Sequence, residues 1–233
     1  MAVQTVSRED WLKARKALLA EEKAFMRTRD QLSEMRRRLP RYRIEKDYEF
    51  LGASGSTSLQ NLFQGKSQLV IYHFMFGADW KQGCKSCSFW CDHFDGMLPH
   101  LAARDVAFAC VSTAPLEKLL AFRSRMGWRF DWYSSAGTSF NMDFGVTCSP
   151  GKTLLYNFDK PKEDAGELPG LSVFAKDGSA VYHTYSCYSR GLDNLNGTYQ
   201  ILDLVPKGRD EAKLPWPMAW VNHHDSYGEL RNS

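Results

Sequence analysis

Apolar residues recur at helical spacing along the first forty positions, from Trp11 and Leu12 through Leu18, Leu19, Phe25 and Met26 to Leu32. Ser7 stands before them as a cap, and Glu9 and Asp10 sit where the positive end of a helix dipole favours acidic groups. Leu39-Pro40 ends the helix, because a residue before proline avoids the α region. Tyr48 to Phe63, with Gly52, Gly55 and small polar residues, predicts a short hairpin and turn. The continuous apolar run Gln68–Phe76 then suits a central strand buried on both faces. Gly77–Gly83 reads as a turn, and a helical stretch opens at Cys84 and runs to about Ala102. Asp105–Ser112 predicts a second buried strand, and Pro115 the first turn of a helix reaching about Met126. Residues from about 128 to 168 are aromatic, turn-rich and weakly periodic, and are read as an insertion. Leu171–Lys176, Asp177-Gly178 and Ser179–Tyr185 form a hairpin by their turn chemistry. Leu192–Val205 is the last helix, ended by Pro206 and Gly208.

The resulting order, β-α-β-α-β-β-α, joins a right-handed βαβ half to a ββα half. That is the thioredoxin-like α/β fold, a central mixed sheet flanked by helices, here with an insertion before the third core strand. Residues 1–46 are expected as an N-terminal helical arm, 47–210 as the thioredoxin-like domain and 211–233 as a tail packed on the body. The arm suggests a homodimer contact, although a helix covering the sheet is the plainer reading. A hydrophobic fraction of 43% excludes disorder as the main state. The net charge of +3 is unevenly spread, with 13 Lys/Arg against 7 Asp/Glu in residues 1–46, and a solvated helix face explains this better than nucleic acid does. The start of the chain has no apolar leader, and Leu69–Phe76 is too short to cross a bilayer. A cytoplasmic protein is therefore expected, with its six cysteines mostly reduced.

Under reducing conditions a close cysteine pair points to redox chemistry or metal binding. Cys84-Lys85-Ser86-Cys87 is ambiguous by spacing alone. Its context is informative: it follows a buried strand and opens a helix, where free N–H groups and the dipole stabilise a thiolate. Cys84, the outer residue, is the expected nucleophile, Cys87 resolves the mixed disulfide, and Lys85 adds a favourable charge. Cys91 lies four residues on, hence on the same helix face. Cys84, Cys87 and Cys91 with His183, or with His93, would form a thiolate–imidazole site for copper or zinc. Against that stands Cys91 as a small buried hydrophobe. Cys110, in a strand, reads as inert. Cys148 and Cys187 read as ordinary thiols or extra resolving ones.

Pro169 occupies the place where thioredoxin folds carry a cis-proline that faces the dithiol and binds substrate, and a turn proline is the competing reading. Trp80, Phe89, Trp90, Tyr185 and Tyr188 either line an apolar substrate pocket or pack the core. His73 either tunes a thiol or is a core histidine, and His223-His224-Asp225 is either part of a proton relay or metal site or a cap on the fold. Nucleotide fingerprints are absent, so no cofactor is required. Electrons would come from a small thiol or a partner reductase, with a small disulfide or peroxide as substrate.

These residues resemble the DUF899 family, described as thioredoxin-like and predicted to be dithiol-disulfide oxidoreductases. The resemblance spans nearly the whole chain. It rests on Glu9-Asp10-Trp11-Leu12, Arg36-Arg37-Arg38-Leu39-Pro40, Tyr72-His73-Phe74-Met75-Phe76-Gly77 and Gly83-Cys84-Lys85-Ser86-Cys87-Ser88-Phe89-Trp90 with Asp92. It continues in Tyr185-Ser186, Tyr188, Arg190-Gly191, Leu202-Asp203-Leu204 and His224-Asp225-Ser226-Tyr227. The family implies the fold and Cys84 and Cys87 as the reactive pair, but supplies no substrate. This chain departs at Cys91 and Cys187, where a small non-thiol residue and a threonine-like residue are expected. It also lacks the Trp-Cys-Gly-Pro-Cys of general thioredoxins. The expected function is a thiol–disulfide oxidoreductase or peroxidase-like enzyme; the alternative is a metal-binding protein or copper-dependent enzyme.

Overall fold

The computed structural model describes residues 4–148, 151, 153–158, 161–163 and 166–228. The chain divides into two units, Met1–Pro40 and Arg41–Ser233. The first is helix α1 (Arg8–Arg37). Ser7 caps it by accepting from the Asp10 amide at 3.1 Å. Arg36 and Arg37 complement the dipole in the last turn, and no residue of the helix is buried.

The second unit begins earlier than residue 47, because strand β1 (Tyr42–Arg43) pairs with its sheet. The elements that follow are strands β2 (Glu49–Gly52), β3 (Gly55–Ser58) and β4 (Gln68–His73), then helices α2 (Lys85–Phe94) and α3 (Leu98–Ala103). Strand β5 (Val106–Ser112), helix α4 (Leu116–Arg125), strand β6 (Asp131–Ser134) and helix α5 (Phe140–Asp143) come next. The chain finishes with β7 (Thr153–Leu155), β8 (Pro161–Glu163), β9 (Gly170–Asp177), β10 (Ala180–Tyr188) and α6 (Gly197–Leu202). Strands β7 and β8 form a separate hairpin. The other eight make one sheet in the order β1-β10-β9-β4-β5-β6-β2-β3. Within it β4 and β5 are parallel and β9 is antiparallel to β4, so β10-β9-β4-β5 is the thioredoxin core.

Three expectations change. Strand β6 runs parallel to β5, so part of the expected insertion belongs to the sheet. Only four residues long, it is too short to display a period. The stretch after Cys84 is not one helix: a 3-10 turn at Asp95–Met97 separates α2 from α3, where Gly96 loosens the backbone and Pro99 lacks an N–H. Leu192–Val205 resolves into a 3-10 segment, Ser189–Leu195, and the short α6, which Asn196 caps through Tyr199 N.

Alternation along β4 sorts two cores. Tyr72 and Phe74 face a cluster with Cys87, Phe89, Trp90, Cys91, Cys110, Phe122, Trp132, Leu192 and Tyr199. Leu69 and Ile71 face the opposite cluster, with Phe50, Phe63, Phe140, Phe144 and Phe174, and His73 stacks on Phe144 there. Helices α2, α4 and α6 cover the first face. Among the described residues no helix is long and apolar enough to cross a membrane.

Candidate active site

Strand β4 continues past His73 as an extended segment: Phe74 N donates to Val111 O at 3.0 Å and Ala114 N to Phe76 O at 2.8 Å. Trp132 Nε1 donates to Ser112 Oγ at 3.0 Å, and Ser112 Oγ to Phe74 O at 2.7 Å, which ties three strands together just below the loop. The chain loops out over Gly77–Gly83 and returns with Cys84 N donating to Met75 O at 3.1 Å. Glycine is required at 83, because a Cβ there would lie 2.7 Å from the Phe74 ring and 2.8 Å from that of Phe122.

Cys84 is thereby fixed as the extended N-cap residue of α2, half-buried, with its carbonyl accepting from Ser88 N and Ser88 Oγ at 2.9 Å each. Its thiol is held down to about 7, first by the hydrogen bond from the Cys87 thiol; burial opposes this, and the Cys87 and Ser86 amides reinforce it. Cys87 is buried and pushed well up, by burial first and then by Cys84. Its Sγ accepts from Met75 N at 3.4 Å. One thiol is thus poised as a thiolate and the other kept protonated beside it. Lys85, next along, donates its ammonium to Asn222 Oδ1 at 2.7 Å, which ties the start of α2 to the tail.

A cavity of about 610 Å³ opens on Cys87. Tyr72, Cys87, Trp90 and Pro169 line it, with Leu192, Tyr199 and Met218, and its charged members are Arg190, Asp193, Asp203, Arg209 and Glu211. Arg209 lies over the Tyr199 ring at 3.9 Å and pairs with Asp193 and Asp203 at 3.0 and 2.8 Å. Glu211 Oε1 accepts from Tyr199 Oη, Trp220 Nε1 and Met218 N at 2.7, 2.7 and 3.0 Å, which fixes that wall. Pro169 reaches the cavity without a cis bond, since no peptide among the described residues is cis. Its carbonyl accepts from Tyr156 Oη at 2.7 Å, and the same hydroxyl accepts from Ser189 N at 3.0 Å.

The other expected pocket residues lie elsewhere. Trp80 packs its indole over Gly77 and does not line the cavity. Tyr185 pairs with Val173 on the dithiol side of the sheet but also stays outside it. Tyr188 donates to Phe144 O at 2.9 Å and borders a different cavity, shared with His183. Phe89 meets Tyr199 and Trp220 edge to face, and Trp90 Nε1 donates to Leu192 O at 2.8 Å.

The expected metal set does not assemble. His183 packs against Phe144 and Phe174, on the far side of the sheet from Cys84, Cys87 and Cys91. Cys91 instead touches Cys110, Sγ to Sγ at 3.8 Å. His93 Nε2 accepts from Thr198 N at 3.2 Å. Among the described residues no group of three or more His, Cys, Asp or Glu converges to hold a metal. His73 points away from the thiols and joins a buried chain: Nε2 to Ser172 Oγ at 2.8 Å, Ser172 Oγ to Ser186 Oγ at 2.8 Å, and Ser186 Oγ to His183 Nε2 at 2.7 Å.

The tail contributes more than its sequence signalled. His223 Nε2 donates to Gly83 O at 2.9 Å, His224 Nδ1 meets Asp92 Oδ1 at 2.7 Å, and Asp225 pairs with Arg125 at 2.7 Å. His223 thus fastens the loop before α2, His224 the last turns of α2 and Asp225 the end of α4. Tyr72 was readable only as a strand residue, although alternation opposite His73 puts it on the dithiol face, with its hydroxyl in reach of Cys87.

The chain is similar in structure to several peroxiredoxins. A cysteine-to-serine variant of peroxiredoxin Q from Xanthomonas campestris shares 15% identity over 67% of this chain and 90% of that one, with a TM-score of 0.47. Peroxidoxin BcpB from Mycobacterium tuberculosis shares 16% over 70% and 97%, also at 0.47. The mitochondrial 2-Cys peroxiredoxin of Plasmodium falciparum shares 13% over 70% and 92%, at 0.41. No curated protein matches the chain. The family match, by contrast, extends over residues 1–227, and the chain belongs to the family described as "Bacterial protein of unknown function (DUF899)".

Proposed function

We infer that the protein is a thiol–disulfide oxidoreductase of peroxidase-like type, with Cys84 as nucleophile and Cys87 as resolving thiol. The observation that carries this reading is the unequal pair: Cys84 held down to about 7 at the N-cap of α2, beside a buried Cys87 pushed up. Thiol–disulfide exchange is fastest when the attacking thiol titrates near ambient pH. The Cys84 thiolate attacks one sulfur of a small disulfide and expels the other as a thiolate. Cys87 then loses its proton and attacks Cys84 Sγ, releasing the second thiol and leaving a Cys84–Cys87 disulfide. With a hydroperoxide the first step gives an alcohol and a sulfenic acid at Cys84, which condenses with Cys87 and loses water. A small thiol or a partner reductase returns the pair to the dithiol.

The cavity at Cys87, with Pro169, Trp90 and Tyr199 in its wall, is where the organic part of the substrate is placed in this reading. The test uses the coloured aromatic disulfide 5,5′-dithiobis(2-nitrobenzoate). Cys84→Ser is expected to lose rapid release of the thiolate by at least a hundredfold, and Cys87→Ser to stop at a stable mixed disulfide on Cys84. If both thiols of the native protein stay unmodified after oxidant, by mass mapping, the reading is wrong.

A further inference from the structure

The dithiol does not end at Cys87. One turn further along α2, on the same helix face, stands Cys91, and its Sγ touches that of Cys110 on β5 at 3.8 Å. Cys91 and Cys110 are both wholly buried. Cys110 is the cross-strand neighbour of Tyr72, whose hydroxyl reaches Cys87. Sulfur is therefore set in file from the half-exposed Cys84, through Cys87 and Cys91, to the middle of the sheet.

We propose that Cys91 and Cys110 are a second redox pair, oxidised from the Cys84–Cys87 disulfide by exchange through Cys87. The proposal rests on Cys84 and Cys87 being the primary pair. Sulfurs at van der Waals contact come to bonding distance, about 2.05 Å, by side-chain rotation when the backbone spacing suits. The exchange needs no co-reactant beyond the small disulfide or hydroperoxide that oxidised the outer pair. Cys91 gives up its proton and attacks Cys87 Sγ; the Cys84–Cys87 bond breaks, and Cys84 leaves with the electron pair. Of the two sulfurs in that disulfide Cys84 is the better leaving group, because its thiolate is stabilised where that of Cys87 is not. Cys110 then gives up its proton and attacks Cys91 Sγ, forming the Cys91–Cys110 bond and releasing Cys87, which is reprotonated. The inner pair is oxidised by two electrons and the outer pair reduced by two; of the two protons released, one returns to Cys87 and the other goes to the Cys84 thiolate or to solvent.

The first attack is slow, because burial pushes the Cys91 thiol well up and leaves little thiolate. Oxidation therefore reaches the inner pair only when the outer pair stays oxidised long enough, that is, when reductant is short. The inner pair then holds a second oxidising equivalent and cross-links α2 to β5.

The test oxidises the reduced full-length protein with excess glutathione disulfide and counts and maps disulfides over time by acid quench, alkylation and peptide mass. Two thiols are expected to vanish quickly as Cys84–Cys87, and two more at least tenfold more slowly as Cys91–Cys110. In Cys87→Ser the inner disulfide is expected to form at least tenfold more slowly still, while Cys84 becomes glutathionylated. A Cys84–Cys87 disulfide with Cys91 and Cys110 still reduced at the end point overturns the second pair and leaves the primary reading intact. Undiminished inner oxidation in Cys87→Ser overturns the route. Failure of Cys84–Cys87 itself to form overturns the primary reading instead.

Discussion

Cys84 makes the reactivity of the site a function of pH. Its thiolate fraction grows as pH rises through about 7, whereas an unperturbed cysteine needs about 8.5. The rate of iodoacetamide labelling at Cys84, followed by peptide mass, is expected to reach half its plateau near pH 7. In Cys87→Ser the midpoint should move, because the thiol hydrogen bond that does most to depress it is replaced. Gly83 acts on the same atom by steric means. Gly83→Ala pushes a methyl group into the Phe74 and Phe122 rings, and is expected to cost about 1–3 kcal/mol of stability in urea melts and to slow that labelling.

His73 titrates in the opposite sense for stability. Burial, aided by His183, lowers it to about 3, against 6.5 in an unfolded chain. Below pH 6.5 the unfolded chain therefore takes up the proton first. Stability is complete above that pH and declines towards pH 3 by on the order of 1 kcal/mol per unit. His73→Gln is expected to flatten the pH dependence of the urea midpoint between pH 7 and 5.

At the scale of elements, β10 explains why histidines on β4 and β10, six strands apart in chain order, share one buried chain. Its register shifts between His183 and Tyr185, with Thr184 in the bulge donating to Val173 O at 3.1 Å. The extra residue puts His183 and Ser186, three positions apart, on the same face, which strict alternation forbids. No local sequence signal marks this bulge, so His183 looked available to the thiols when it lies beyond the sheet from them. The strands β4, β5, β9 and β10 were legible because each run is long and apolar or closed by a turn dipeptide. Strand β6 was not, because Trp132 and Ser134 give only two buried positions. The strand-to-helix setting of Cys84 and Cys87 was legible, because the apolar run of β4 and the turn residues after it both show in the sequence. The cavity wall at Arg209 and Glu211 was not, since it assembles from contacts with no spacing in the sequence. Helix α1 depends on local terms, having no buried residue. Ser7→Ala is expected to cost about 1 kcal/mol of helix stability, read as faster amide exchange in its first turn.

For the molecule as a whole, the sheet separates two kinds of chemistry. Thiols and cavity lie on one side, and the His73–Ser172–Ser186–His183 chain lies on the other. The tail secures the thiol side through Asn222, His223 and Asp225. Truncation after Val221 removes those contacts and is expected to cost about 2 kcal/mol in urea melts, with Cys84 labelled several-fold faster. The bracing tail also sets an order of events at birth. Residues 222–225 leave the ribosome after every other part of the site, so Cys84 and Cys87 are synthesised long before the groups that fasten Gly83 and Lys85. Through that interval the nascent chain carries Cys84 and Cys87 without the contacts that later hold the loop and helix around them.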